Sequence, residues 1–246
     1  MVVLLTLVLA GPLSAQEPGV HYLHQGMMPP GAIGGLQLQR GGPLPGFFQP
    51  VEIKAPYGAL ISLAVEGQFD QPQKAPMRAG MLIAPVYRIR VTGIPRHPGE
   101  EVFPTIEIIN RLYTPRGQER RFAIPIDLTQ EDLELALQGK FVTRVIYLED
   151  AEAALPVQDP KGQNWFEVGP GRDPLAMADR LGRPVAIVRM GGRLPTDGQD
   201  PGMDFLYGCP PMQKFAPRIK ILKPPPKRRP AKPAPPTNVV PEAPQR

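Results

Sequence analysis

Cysteine, serine, histidine and tryptophan are scarce in this chain, and each scarcity closes a route to chemistry. Cys209 is the single cysteine, so no internal disulfide and no cysteine-based zinc site can form. The two serines are Ser14 and Ser62. Ser14 falls in a leader-like segment and Ser62 in an alternating apolar run, whereas a nucleophilic serine needs a sharp exposed turn beside a base. The three histidines, His21, His24 and His97, are too few for a histidine-rich metal centre. His21 and His24 are three apart, but glycine-rich surroundings disfavour the helix that would bring them together. No G-x-S-x-G, no strand-following G-x-G-x-x-G and no G-x-x-x-x-G-K-[ST] occurs, so nucleotide binding has no motif support and no cofactor is predicted.

Long apolar runs are also lacking. Val2–Ala10 is the one candidate, and it is shorter than the ~20 residues a bilayer span requires. Gly11-Pro12 breaks it, and Ala15 precedes Gln16 as a small residue at a cleavage point. The segment 1–15 therefore predicts an export signal. It departs from the usual pattern in having no preceding Lys or Arg and in placing Leu13 where a small residue is common. The expected location is the periplasm or cell envelope, with no transmembrane span.

What the chain has in excess is proline: 35 of 246 residues, against a usual ~5%. Proline removes a backbone donor and fixes φ, so a mainly helical protein is excluded. Residues 16–50 combine glycine, proline and glutamine and predict a flexible arm. From 51 to 195 the pattern is globular, with candidate strands at 59–66, 81–92, 102–113, 120–126, 141–149 and 185–191. In the second, Tyr87, Ile89 and Val91 alternate with Arg88, Arg90 and Thr92, which predicts one buried and one wet face. Residues 141–149 are apolar on nearly both sides and predict a central strand.

Two helices carry complete punctuation. Thr129 caps one, with Glu131 and Asp132 in its first turn and Gly139 as its stop. Asp173 caps the other, Pro174 takes its first position, and Gly182 and Pro184 end it. Strands outnumber helices, turns recur often, and no βαβα alternation is present. The predicted fold is mainly β: a β-sandwich-like domain with two short helices, flanked by disordered Pro/Gly-rich arms. A looser extension is expected at 196–217.

Charge is unevenly placed. Residues 218–246 hold eight basic residues, one acid and nine prolines, a net of +7, while the remaining 20 basic and 22 acidic residues sum to −2. The basic balance is thus a property of the tail, which should be extended and unfolded alone. Lys223, Lys227, Arg228, Arg229 and Lys232 are its candidate contacts for an anionic polymer or lipid surface. Nucleic acid is not expected, because the tail has no interleaved aromatics and the chain is expected outside the cell.

Other residues carry weaker signals. Trp165-Phe166 reads as a core plug, with Trp165 as an exposed platform for a sugar or partner in the competing reading. Glu107, Asp127, Glu149 and Asp150 lie near predicted strand ends; a close pair could hydrolyse glycosides, but solvated surface charge is the expectation. Asp159, Asp173, Asp197 and Asp200 lack calcium-loop spacing and read as turn and cap residues. Cys209 reads as a free thiol, with pairing between chains as the alternative.

The stretch from Tyr87 to Arg193 resembles exported proteins of unknown function from planctomycete-type bacteria. The resemblance rests on Gly99–Glu107, Ile124–Thr129, Gly139–Asp150 and Leu181–Ile187, which are sheet, cap and turn elements. It implies export and an envelope role, and it transfers no active-site residues. The function expected is therefore non-enzymatic: an exported protein with a structural or binding role, contacting anionic envelope material or another envelope protein. The alternatives are a secreted carboxylate-dependent hydrolase acting on carbohydrate, and an assembly subunit that donates an arm to a neighbour.

Overall fold

The computed structural model describes residues 28–150, 166–169, 172–191, 194–195 and 201–216. In chain order the elements are α1 (Ala32–Gln39), β1 (Phe48–Lys54), β2 (Leu60–Val65), β3 (Gln68–Phe69), β4 (Gln73–Lys74), β5 (Met77–Leu82), β6 (Val86–Thr92) and β7 (Thr105–Ile108). A 3-10 turn (Glu119–Arg121), β8 (Ile124–Asp127), α2 (Gln130–Leu137), β9 (Val142–Glu149), α3 (Pro174–Leu181), β10 (Gly182–Met190) and β11 (Met212–Phe215) follow.

The fold is mainly β, and its strands form two sheets in a sandwich-like arrangement. The smaller sheet has the order β11-β5-β1-β8 and the larger β3-β2-β6-β7-β10-β9, with β4 pairing on β2. β1 runs antiparallel to β5 and parallel to β8. Proline sits where it costs the ladders least. Pro125 is on the terminal strand β8, and Pro50 precedes the residues of β1 that pair with β8. Pro184 adjoins a bulge, where the register against β9 slips between Pro184 and Ala186.

The core lies between the sheets. Val51, Ile53, Met77, Ala79, Met81, Ile124 and Ile126 from the smaller sheet meet Ile61, Leu63, Tyr87, Ile89, Val91, Ile106 and Ile108 from the larger. Each large apolar side chain so buried contributes roughly 1.5–3 kcal/mol before entropy is subtracted. α2 closes one part of this core with Leu133 and Ala136. Its predicted cap is present: Thr129 Oγ1 accepts from the Asp132 amide at 3.1 Å. The α3 cap is present too, with Asp173 Oδ1 accepting from the Leu175 amide at 2.9 Å.

Several expectations are corrected. Part of the expected arm is built into the fold. Residues 32–39 form α1, whose Ile33 is buried against Ile109, Leu175 and Ile187, and β1 begins at Phe48. There are three α-helices among the described residues rather than two. One of the glycines that suggested flexibility has a contact role: a Cβ on Gly34 would lie 2.6 Å from the Ala84 Cα. The expected loose extension is also docked in part. β11 pairs with β5, and Leu206 and Phe205 are buried against Ala64 and Phe103.

The predicted wet face of β6 is only partly wet, with Arg90 and Thr92 half-exposed. Arg88 is buried, donating from Nε to the Phe205 carbonyl at 3.1 Å and from Nη1 to the Phe103 carbonyl at 2.7 Å. The 201–209 segment covers this side of β2 and β6, while α1 and α3 cover β7 and β10. Residues 141–149 do not form a central strand: β9 ends the larger sheet. α3 packs across β9 and β10, so both faces carry apolar residues while one edge stays outside the ladder. The long runs at 81–92 and 102–113 contain shorter strands. The first is interrupted between Leu82 and Val86, where Ala84 adopts a φ of 85°, and the second contributes only Thr105–Ile108.

Candidate binding groove

Two strand connections meet at one end of β1 and form an open groove. β1 ends at Lys54, and the chain turns through Pro56-Tyr57-Gly58 into β2. The Ala59 amide donates to the Pro56 carbonyl at 3.0 Å, and Gly58 has a φ of 96°. A turn with positive φ at its third residue favours glycine there, and it leaves the second position, Tyr57, at the tip. Tyr57 is 101% exposed. The opposing wall comes from Lys74 at the end of β4 and Ala75-Pro76 leading into β5.

The volume of this open groove is about 460 Å³, lined by Lys54, Ala55, Pro56, Tyr57, Gly58, Ala59, Lys74, Ala75 and Pro76. That size falls in the range of small-molecule sites, ~300–1,000 Å³. The floor is apolar, and the polar groups at its rim are two lysines and a phenol. Neither Lys54 nor Lys74 forms an ion pair with another described residue. Asp127 lies opposite Lys54 in the β1–β8 ladder without pairing with it. The groove residues include one aromatic side chain and two ammonium groups, a set that suits a ring bearing an acid. It holds no acid, thiol or imidazole to act as nucleophile or base.

The acids singled out from sequence lie on three different strands, β7, β8 and β9, and just beyond β9. Glu107 is fully buried, contrary to the expected surface role. Its Oε1 accepts from the Gly34 amide at 3.0 Å and its Oε2 from Arg189 Nη1 at 2.9 Å. α1 covers the strand face that alternation had assigned to solvent. Asp127 ends β8 and Glu149 ends β9, while the Asp150 amide donates to the Leu181 carbonyl. Asp132, expected only as a first-turn acid, is fully buried and accepts the forked Arg144 guanidinium, with Nη2 2.6 Å from Oδ1.

His97 lies in a surface cluster, its Nδ1 3.0 Å from Glu100 and its Nε2 3.8 Å from Glu134. The Gln130 amide, then the charges of Arg96 and His97, hold Glu134 below the usual carboxylate range. Among the described residues no group of three acids, histidines and cysteines has metal-holding geometry. Cys209 is a free, half-buried thiol whose Sγ accepts from the Gly67 amide at 3.3 Å.

Lys223, Lys227, Arg228, Arg229, Lys232 and Trp165 lie outside the described residues, as do His21, His24, Asp159, Asp197 and Asp200. Phe166, beside Trp165, is 56% exposed, so the pair is not a core plug through Phe166. The groove residues were missed. The available signal was Pro56-Tyr57-Gly58, a turn tripeptide with an aromatic at its tip, next to a strand ending in lysine. No helix among the described residues is long and apolar enough to cross a membrane. The chain matches no protein-family model, no curated protein and no solved structure.

Proposed function

We propose that this is an exported cell-envelope protein that binds an acidic polysaccharide and does not turn it over. The observation that carries this reading is the groove, whose lining includes a fully exposed tyrosine and two lysines without ion-pair partners among the described residues. A sugar ring would stack on Tyr57, and its acid would meet Lys54 and Lys74. The 218–246 tail, with its net +7, would add long-range attraction to the same polymer. It shares a chain with the groove, so its contacts raise the groove's effective concentration on the polymer. Lys223, Lys227, Arg228, Arg229 and Lys232 would supply that attraction. Binding is favoured over hydrolysis because Glu107 and Asp132, the buried acids, already spend their oxygens on Arg189, Gly34 and Arg144.

The test is co-sedimentation of the full chain with insoluble acidic and neutral wall polysaccharides. The expected result is retention by the acidic polymer, weakened about tenfold by Tyr57→Ala and by Lys54→Gln/Lys74→Gln. Equal retention of all three proteins would defeat the groove as the site. Export is checked by the mass of protein recovered from its host: a chain beginning near Gln16 is expected, and a cytosolic chain retaining Met1 would sink that part.

A further inference from the structure

We propose that Arg111, Tyr113 and Arg183 form a second ligand site, one that takes a phosphate dianion. It lies at the other end of β1 from the groove. Phe47, which borders it, precedes β1, and Lys54, which borders the groove, ends that strand. Seven residues of strand separate the two sites by roughly 20 Å. The inference therefore does not depend on the groove or on the tail.

The two guanidinium groups share one ring. The Arg111 Cζ lies 4.4 Å from the Tyr113 ring centroid, and the Arg183 Cζ 4.9 Å from it. They are therefore no further from each other than the sum of those distances, and the proposed anion would sit between them. Arg183 is held in place by neutral acceptors: its Nη1 donates to Asn110 Oδ1 at 3.1 Å and to the Arg111 carbonyl at 3.0 Å. Arg111 also stands over Phe47, 5.5 Å from its centroid.

This pair combines a shared ring with a missing counter-charge. Arg78, Arg90, Arg96, Arg144 and Arg189 each meet a carboxylate. Arg111 and Arg183 meet none among the described residues. Two like charges thus stack on one ring, half-buried, and the buried Arg111 Nε has no hydrogen-bond partner among the described residues. Such a pair is pre-ordered and under repulsion, and an anion relieves the repulsion.

Donor geometry selects the anion. Arg183 retains the N–H groups of Nε and Nη2, and Arg111 those of its two Nη atoms. Two planar forks match the oxygens of a phosphate bidentately, and two positive charges match its dianion better than a single carboxylate. Tyr113, 66% exposed, keeps the mouth open to solvent.

The experiment uses the full chain. Inorganic phosphate is titrated at constant ionic strength against chloride, followed by calorimetry and thermal shift, with acetate as the carboxylate comparison. The wild type is expected to bind phosphate saturably and to gain Tm with it, while acetate does neither. Arg111→Gln should weaken binding at least tenfold. Arg183→Lys, which keeps charge but loses the fork, should also weaken it and guards against misfolding of a charge-deleted variant. Tyr57→Ala and the chain lacking 218–246 should bind phosphate as the wild type does, even if they lose polysaccharide. Polyphosphate and phosphatidic-acid vesicles, tested on the chain lacking 218–246 with and without Arg111→Gln, then separate the sources: the probe whose binding Arg111→Gln weakens is assigned. Phosphate acting no more strongly than chloride, acetate acting equally, or both arginine variants binding normally would each overturn the proposal.

Discussion

Glu107 and Arg189 form an ion pair sealed inside the protein, 2.9 Å apart on the adjacent strands β7 and β10. Side-chain exposure is 0% for the glutamate and 6% for the arginine. The second carboxylate oxygen accepts the Gly34 amide, so one side chain ties the sheet to α1. A buried pair is weak evidence of net stability, because desolvation offsets much of the attraction, but breaking it leaves a stranded charge. Glu107→Ala should therefore cost about 3–5 kcal/mol, whereas Glu107→Leu with Arg189→Leu should cost far less than the two single changes together. Urea unfolding of Glu107→Ala, the two single leucine variants and their double variant measures this. An additive double variant would mean that the residues do not act as a pair.

The same contact predicts the behaviour of Gly34. A Cβ there meets the Ala84 backbone at 2.6 Å, and backbone yields less readily than a side-chain tip. Gly34→Ala should push α1 outward, lengthen the bond to Glu107 and destabilise by roughly 1–3 kcal/mol. Gly35 has open space where its Cβ would be, so Gly35→Ala should be neutral or slightly stabilising through helix propensity. Thermal unfolding of the two variants side by side checks the contrast. Equal effects would show that α1 is not pinned at Gly34.

These contacts explain which parts of the fold could be read from sequence. The caps at Thr129 and Asp173 were legible because capping is local: the side chain and the amide it satisfies lie within three residues. The inner face of β6 was legible through Tyr87, Ile89 and Val91 for the same reason. The outer face was not. Whether Arg88 or Glu107 meets water depends on what covers the sheet, and the covers, Phe205 and Gly34, lie 117 and 73 residues away. α1 was hidden because its Gly34-Gly35 pair resembles a linker, while Gly34 serves close packing. β9 misled because apolar faces report what lies above and below a strand and say nothing about its edges. The groove was half legible, since Pro56-Tyr57-Gly58 announces a turn, but the wall it shares with Lys74 and Pro76 needs the tertiary fold.

Tyr87 should make stability sensitive to alkali. Its hydroxyl donates to the Pro211 carbonyl at 2.8 Å and accepts the Leu82 amide at 2.7 Å, linking β5, β6 and the approach to β11. Burial pushes its pKa from an ordinary 10.0 to about 12, partly opposed by the Leu82 hydrogen bond. The folded state thus holds its proton more tightly than the unfolded chain. The sign follows: this contribution is fully present below pH 10 and is lost as pH climbs through the folded value. The loss should reach the order of 2 kcal/mol. Tyr87→Phe should lower stability at neutral pH by about 1–3 kcal/mol, because the Leu82 amide and Pro211 carbonyl lose their partner. It should also flatten the alkaline fall. Chemical denaturation from pH 8 to 12 separates the two, and an equally steep fall in Tyr87→Phe would assign it to other groups.

Under the proposed function, the tail and the groove should respond differently to salt. The tail's net +7 lies within residues 218–246, and its attraction to a polyanion is Coulombic and long-ranged. Raising salt shortens the Debye length from about 10 Å at 0.1 M to about 3 Å at 1 M, which screens distant charges first. Stacking on Tyr57 is short-ranged and should survive. Deleting 218–246 should therefore remove most of the salt-sensitive binding to acidic polysaccharide, as should replacing Lys223, Lys227, Arg228, Arg229 and Lys232 by glutamine. Urea unfolding of both proteins should match the wild type if the tail packs on nothing. Tyr57→Ala should lower the salt-resistant remainder and leave the slope of affinity against salt nearly unchanged. Sedimentation with the polymer at 0.05–1 M salt compares the proteins directly. If the chain without its tail binds as tightly at low salt as the full chain, the tail is a passive extension, and the attraction must come from Lys54 and Lys74 or from the arginines at the far end of β1.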